Sequence, residues 1–202
     1  MQPILKMMSV LLLILFAGSE QAVEATPTGD QVAAALQVKV GYVKDGYGTP
    51  EKPYSDEARA SIAGARVIAI DAEGAILAQG LTDHQGEWQA DIAVPRDLRF
   101  AKKNMGMVTL VTVADGYNEN VTFDVPVNQY DDGVVSAVVT LRPIRADERN
   151  EPSFNAQLHR FTVFEMLDDY ANRVGLVKQK PSANTNGLSE PEMPWSAEIR
   201  NP

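Results

Sequence analysis

Seven short segments of this chain place apolar residues at alternate positions or in β-branched runs, and turn-forming residues separate them at regular intervals. In 36–43, Leu36, Val38, Val40 and Tyr42 fall on one side and Gln37 and Lys39 on the other. Successive side chains of a strand point to opposite faces, so a period of two supplies one face for a core and one for water. Comparable segments follow at 65–71, 75–82, 87–94, 107–114, 121–127 and 134–141, with "AEG", "DGYN" and "NQYDDG" as turns within the set. Short strands at even spacing predict an all-β fold, a seven-stranded sandwich over 36–143. Val121, Phe123, Val125 and Val127 alternate along one of these strands. Pro126 cannot donate to a sheet ladder, which assigns that strand to an edge or a bulge.

The period changes beyond residue 144. Leu158, Phe161, Phe164, Leu167, Tyr170 and Val174 recur at three- and four-residue steps, the spacing of one helix face. Arg173 in the last turn and Gly175 after it suit a helix C-terminus. An extension over 144–177 is thus predicted to carry an amphipathic helix. The stretch 178–202, rich in Pro, Ser, Asn and Glu, reads as a disordered tail. At the other end, Lys6, the apolar run 7–18 and "VEA" at 23–25 have the layout of a secretory signal peptide over 1–25, with an uncleaved anchor as the alternative. A linker over 26–35 joins it to the first strand. Such a leader places the mature chain outside the cytoplasm, secreted or associated with the cell envelope, without a stable membrane span after cleavage.

The sequence contains no cysteine, which removes disulfides, thiolate metal sites and cysteine nucleophiles. A bacterial exported protein fits that usage better than a disulfide-stapled one. Its formal net charge of −9 gives nucleic acid no counterion release to exploit.

The order of landmarks from Gly64 to Tyr117 adds a family to this picture. "GARVIAID" supplies Gly64, Ala65 and Val67, "LTDHQGEW" supplies Thr82, Asp83, Gly86 and Trp88, and "VADGY" supplies Ala114, Gly116 and Tyr117. This resembles the carboxypeptidase regulatory-like domain, a transthyretin-like (prealbumin-type, Ig-like) sandwich. Members of that family are accessory modules beside peptidases, on cell-surface proteins and in outer-membrane receptors. The resemblance implies binding or scaffolding, with no catalytic residue to carry over. Two departures stand out: "PRDLRFAKKNMG" (95–106) replaces a tight glycine turn, and the C-terminal helix is extra.

Candidate sites can be weighed residue by residue. Asp83, His84, Gln85, Glu87 and Trp88 crowd polar chemistry into 83–88, but Asp83 and Gly86 suit a tight turn and Trp88 begins a core-facing alternation. His84 and His159, the two histidines, fall in different elements without metal-ligand spacing. "ADG" (114–116) and "YDDG" (130–133) offer oxygens for Ca²⁺ only if their loops meet. Lys39 stands where an isopeptide cross-link would start, but 134–141 has no Asn or Asp to receive it. The inserted loop gathers Arg96, Arg99, Lys102 and Lys103 around Leu98 and Phe100, a possible binding loop for an anionic polymer or acidic partner. Phe161, Phe164, Leu167 and Tyr170 form a face for covering the sandwich edge or for docking a partner.

These readings predict a secreted, non-enzymatic β-sandwich module, without a cofactor, that binds a protein or glycan at the cell envelope. The alternatives are a structural spacer or self-assembling subunit docking through the C-terminal helix, and an accessory subunit of a hydrolase.

Overall fold

The computed structural model describes residues 30–43, 59–100, 102–129, 131–146, 148–183 and 193–200. The expected leader (1–25), most of the 44–60 loop, and 184–192 and 201–202 of the expected tail lie outside the described residues.

Two sheets face each other. In the first, β1 (Gln31–Val43) is central. One of its edges is shared end to end by β5 (Glu87–Pro95) and β2 (Arg59–Ser61), both antiparallel to it. Its other edge runs parallel to β9 (Val134–Pro143), from Ala35 opposite Val134 to Tyr42 opposite Leu141. The pair β7 (Tyr117–Asn118) closes the far end of β9. The second sheet has the order β10 (Ser153–Phe154), β8 (Asn120–Asn128), β6 (Met105–Val113), β3 (Arg66–Asp71), β4 (Ile76–Leu81). A two-stranded ribbon, β11 (Leu176–Lys178) with β12 (Trp195–Ile199), follows the helix α1 (Arg160–Val174).

The all-β sandwich is present, and each of the seven expected strands coincides with one observed here. Among the described residues five shorter ones, β2, β7, β10, β11 and β12, are additional. Alternation explains the inner core: Val32, Leu36, Val38 and Val40 of β1 meet Val67 and Ala69 of β3 and Val108 and Leu110 of β6. Alternation alone does not explain β3, where Val67, Ile68, Ala69 and Ile70 are all buried. A continuous apolar run belongs to a strand covered on both faces. Here α1 and the β11–β12 ribbon form a third layer on the outside of the second sheet, where Ile68, Ile70, Val111 and Val113 meet Val163, Leu167, Tyr170, Leu176 and Trp195.

Four expectations need correction. The linker over 26–35 overlaps β1, which begins at Gln31 and buries Val32 and Ala34. "VAAAL" hides its strand because the outward positions are alanine too. The strand over 121–127 does not keep one face: Val121 and Phe123 pack in the outer cluster, Val125 and Val127 in the inner one. Asp124 adopts φ 57° at a bulge where the register with β6 slips, and one extra residue reverses the facing of everything beyond it.

The helix buries Val163, Leu167, Tyr170 and Ala171, a face rotated from the expected one, so Phe161 is 55% exposed. Finally, residues 178–202 include ordered structure: Trp195–Ile199 is a strand, and Met193 and Trp195 are buried. Polar composition masked two large apolar anchors there.

The third layer is fastened by specific bonds. Gly175 ends α1 at φ 83° and returns its N–H to Ala171 and Asn172 carbonyls, the left-handed stop expected of that glycine. Tyr170 Oη and Arg173 Nη1 donate to the Gly74 carbonyl at 3.0 and 3.1 Å, fixing the helix to the β3–β4 turn. The Gln179 amide is a hub: it accepts from Gly116 N–H and donates to the carbonyls of Ala114, Tyr117 and Trp195. His159 gives no side-chain cap at the other end of the helix. Isolated helices of this length are marginal in water, so packing on the sheet holds α1.

Candidate functional site

The polar cluster at 83–88 is a corner. Thr82–Gly86 carries the chain from β4 in the second sheet to β5 in the first. The Asp83 carboxylate accepts N–H bonds from Gln85 and Glu87, both 2.9 Å, and Gly86 takes φ 75°. The Glu87 N–H, with help from those of Gln85 and the nearby charges of His84 and Lys39, holds the Asp83 carboxyl below its usual range. Thr82 Oγ1 is buried between the Ala65 N–H and the Ile62 carbonyl, and Trp88 packs in the inner core. His84 contacts its neighbour Gln85, and Glu87 pairs with Lys39 at 3.0 Å on the outer face. These side chains diverge. Lys39 is half exposed and outward-facing, so the core cross-link considered for it has no basis.

The possible calcium loops are far apart. Residues 131–133 precede β9, whereas Gly116 bonds Ile144 beyond its other end. Ten residues of strand separate them, about 33 Å. No group of three ligating side chains occurs among the described residues.

The inserted loop projects from one end of the sandwich as a 3₁₀ turn, Leu98–Phe100. Leu98 is 70% exposed, and Phe100, Lys102 and Lys103 are exposed as well. Two of the four cations are matched by the chain's own acids. Arg99 bonds the Asp97 carboxylate at 2.6–3.0 Å, holding it below its usual range, and Arg96 lies 3.8 Å from Asp30. Asn104 donates to Gln129, placing this loop beside the 128–133 turn. The 44–60 loop leaves and rejoins at Val43 and Arg59, paired at the opposite end of β1. The inserted loop and the described ends of the 44–60 loop thus lie at opposite ends of β1.

The expected docking face of Phe161, Phe164, Leu167 and Tyr170 is divided. Leu167 and Tyr170 are spent on the chain's own second sheet. Phe161 and Phe164, packed edge to face with centroids 6.1 Å apart, line a cavity of about 540 Å³ that Leu167 also borders.

That cavity gathers charged and aromatic side chains from several segments. Its walls are the N-terminal half of α1, the 148–152 segment, Lys178 and the entry into β12 at Met193–Trp195. Arg160 lies over the rings of Phe161 and Phe164 at 5.0 and 5.5 Å. Glu151 receives both Arg149 Nε and Arg160 Nη2 through one oxygen. Trp195 donates its indole N–H to Asp168 at 2.7 Å, with Lys178 over its ring at 3.9 Å. Arg160 Nε is buried without a partner.

Glu119, between β7 and β8, forms part of the floor and accepts the Trp195 backbone N–H at 2.6 Å. Burial pushes its carboxyl up, against the opposing pull of that N–H and of Lys178, while Asp168 adds to the rise. Of this constellation only Phe161, Phe164 and Leu167 carried a sequence signal, as helix periodicity. Glu119 is isolated in a polar stretch without any local pattern, and Trp195 stands out only as an aromatic residue in "PEMPWSAEI" (191–199), a possible short recognition segment or plain tail by sequence.

The raised Glu119 carboxyl has a consequence for stability. Unfolded, it ionises at its ordinary value; folded, it keeps its proton to higher pH, so over that interval the native state binds more protons. Stability is expected to fall as pH rises from the ordinary glutamate range through the folded value. Glu119→Gln, which keeps an acceptor for Trp195 N–H without the charge, is expected to remove that component. Urea unfolding across pH 4 to 8 checks it: an unchanged pH slope in the variant would show that Glu119 is not its source.

No family model matches the chain, and no curated protein matches it. Among solved structures, the chain is similar to the shaft pilin SpaA of Lactobacillus rhamnosus GG, with 12% identity over 56% of this chain and 51% of the pilin, at a TM-score of 0.34. A double mutant of that pilin gives the same figures. The major plantain pollen allergen Pla l 1 is similar at 12% identity over 55% of this chain and 94% of the allergen, with a TM-score of 0.30. The chain spans about half the length of the pilin it matches. At scores this low, neither protein's role carries over.

Proposed function

We propose that this protein is a secreted or envelope-associated binding module, without catalytic activity, that holds part of a glycan or protein ligand in the cavity between α1 and β12. The observation that carries this reading is the cavity itself. Its volume, about 540 Å³, falls in the range of roughly 300–1,000 Å³ usual for small-molecule sites, and it joins apolar rings to fixed polar groups. The leader expected at 1–25 supports export. Kinship with carboxypeptidase regulatory-like domains belongs to the same reading: Asp83, Gly86 and Trp88 are turn and core residues, which suits a motif that specifies a scaffold.

The test is retention on immobilised cell-wall polysaccharide and on immobilised envelope proteins. Wild type is expected to be retained on one of them, and the Arg160→Ala/Phe161→Ala double variant on neither. No retention of wild type on either support would sink the proposal.

A second reading, a self-assembling subunit or spacer, draws on Leu158 and Phe161 at the start of the helix and on Val134 and Val138 on the uncovered face of the first sheet, all exposed. Size-exclusion chromatography of the same two proteins reports on it. That reading requires a concentration-dependent oligomer that the double variant weakens.

A further inference from the structure

Besides the buried Glu119, three cations (Arg149, Arg160 and Lys178) and three carboxylates (Glu148, Glu151 and Asp168) line the cavity. Each has an oppositely charged neighbour: Arg149 and Arg160 share Glu151, Lys178 meets Asp168, and Glu148 is held by Arg145 from outside the lining. A charged ligand would lose its hydration there without finding an unspent opposite charge. What remains unspent is a mixture of donors and acceptors. Arg160 joins Glu151 through Nη2, and its side chain is still 37% exposed. Among the described residues, the second oxygens of Glu151 and Asp168 accept no hydrogen bond.

A protein segment would be recognised differently. Strand addition needs free backbone groups, and at this end of β12 they are taken. Pro194 O accepts from Gln179 N–H, Trp195 N–H donates to Glu119, and Trp195 O accepts from Gln179 Nε2. The cavity therefore reads its ligand through side chains. A hydroxyl donates and accepts at once, so a ring bearing several hydroxyls can use guanidinium and carboxylate together. Its C–H face can lie on the exposed ring of Phe161.

We infer that the cavity takes an uncharged glycan, with one sugar ring against Phe161 and its hydroxyls bonded to Arg160, Glu151 and Asp168. This rests on the binding-module reading and narrows it to one ligand class. Wild type and the variants Phe161→Ala and Glu151→Gln are titrated calorimetrically with uncharged gluco-, manno-, xylo- and chito-oligosaccharides. Oligogalacturonate is the anionic probe, and an envelope-protein column is run in parallel. Phe161 is more than half exposed, so its replacement leaves the fold intact, and circular dichroism melting verifies that.

The expected result is saturable, salt-insensitive binding of one uncharged oligosaccharide, weakened about tenfold in Phe161→Ala, the scale of one lost aromatic contact, and weakened also in Glu151→Gln. Binding of oligogalacturonate alone overturns the inference, as does sugar binding that neither variant weakens. Retention on envelope protein that Phe161→Ala abolishes, with no sugar bound, overturns the glycan and leaves the binding site standing. No binding to any probe and no retention removes both.

Discussion

Trp195→Ala is expected to lower the unfolding free energy by about 3–5 kcal/mol, the usual range for truncating a buried aromatic side chain. Trp195 is 5% exposed and packs with Ile68, Val111, Val113 and Leu167 beneath the helix layer. Its indole N–H is bonded to Asp168, and its ring carries Lys178. Truncation opens a void under β12 and releases both partners, while the backbone bond to Glu119 loses the packing that holds it in register. Denaturant unfolding followed by circular dichroism should show a lower midpoint with little change in slope. Trp195→Phe, which keeps a ring but loses the bond to Asp168, should cost nearer 0.5–1.5 kcal/mol. A loss below about 1 kcal/mol for Trp195→Ala would mean that the ribbon is an appendage and not a layer of the fold.

Gly86→Ala is expected to cost about 2–5 kcal/mol, from left-handed backbone strain of about 1–2 and overpacking of about 1–3. Gly86 has φ 75°, and a Cβ there would stand 2.5 Å from the Val40 carbonyl oxygen and 3.1 Å from the Ile62 nitrogen. These are backbone atoms, and they cannot swing aside. The Val40 carbonyl accepts the Ile62 N–H, and the Val40 N–H donates to the Gly86 carbonyl. A Cβ at Gly86 therefore pushes on the junction of β1, β2 and the β4–β5 corner. Gly116→Ala is the control: its φ is 83°, but a Cβ there has nothing within 4 Å, so only the strain applies. If the two variants lose the same stability, the close approach at Gly86 has no energetic consequence and the corner is more pliant than its geometry implies.

Together these two substitutions separate what the chain announces locally from what it does not. Gly86 belongs to a motif whose turn chemistry is visible beside it in sequence, since Asp83 and the following alternation from Trp88 mark where the chain must reverse. Trp195 has no such context. Pro, Ser and Glu surround it, and its burial depends on Ile68 and Val111, more than eighty residues away along the chain. Glu119 is similar: its desolvation comes from the ribbon that closes over it, and neither Asn118 nor Asn120 foretells that. The helix is an intermediate case. Its period was legible, but Val163 and Ala171, which make the buried face, are too small or too weakly marked to outweigh Phe161 and Phe164 as apparent core residues.

The amino-acid sequence by itself determined the seven principal strands, the turns between them and the existence of the helix, because period, proline, glycine and β-branching act between neighbours along the chain. Only the tertiary structure decided the rest. It paired β1 in parallel with β9, reversed the facing of β8 at Asp124, laid α1 and β12 over the second sheet, and enclosed Glu119 and Trp195 in one cavity. The physical reason is that burial is a property of what comes to lie on a residue, and here the covering groups arrive from distant parts of the chain.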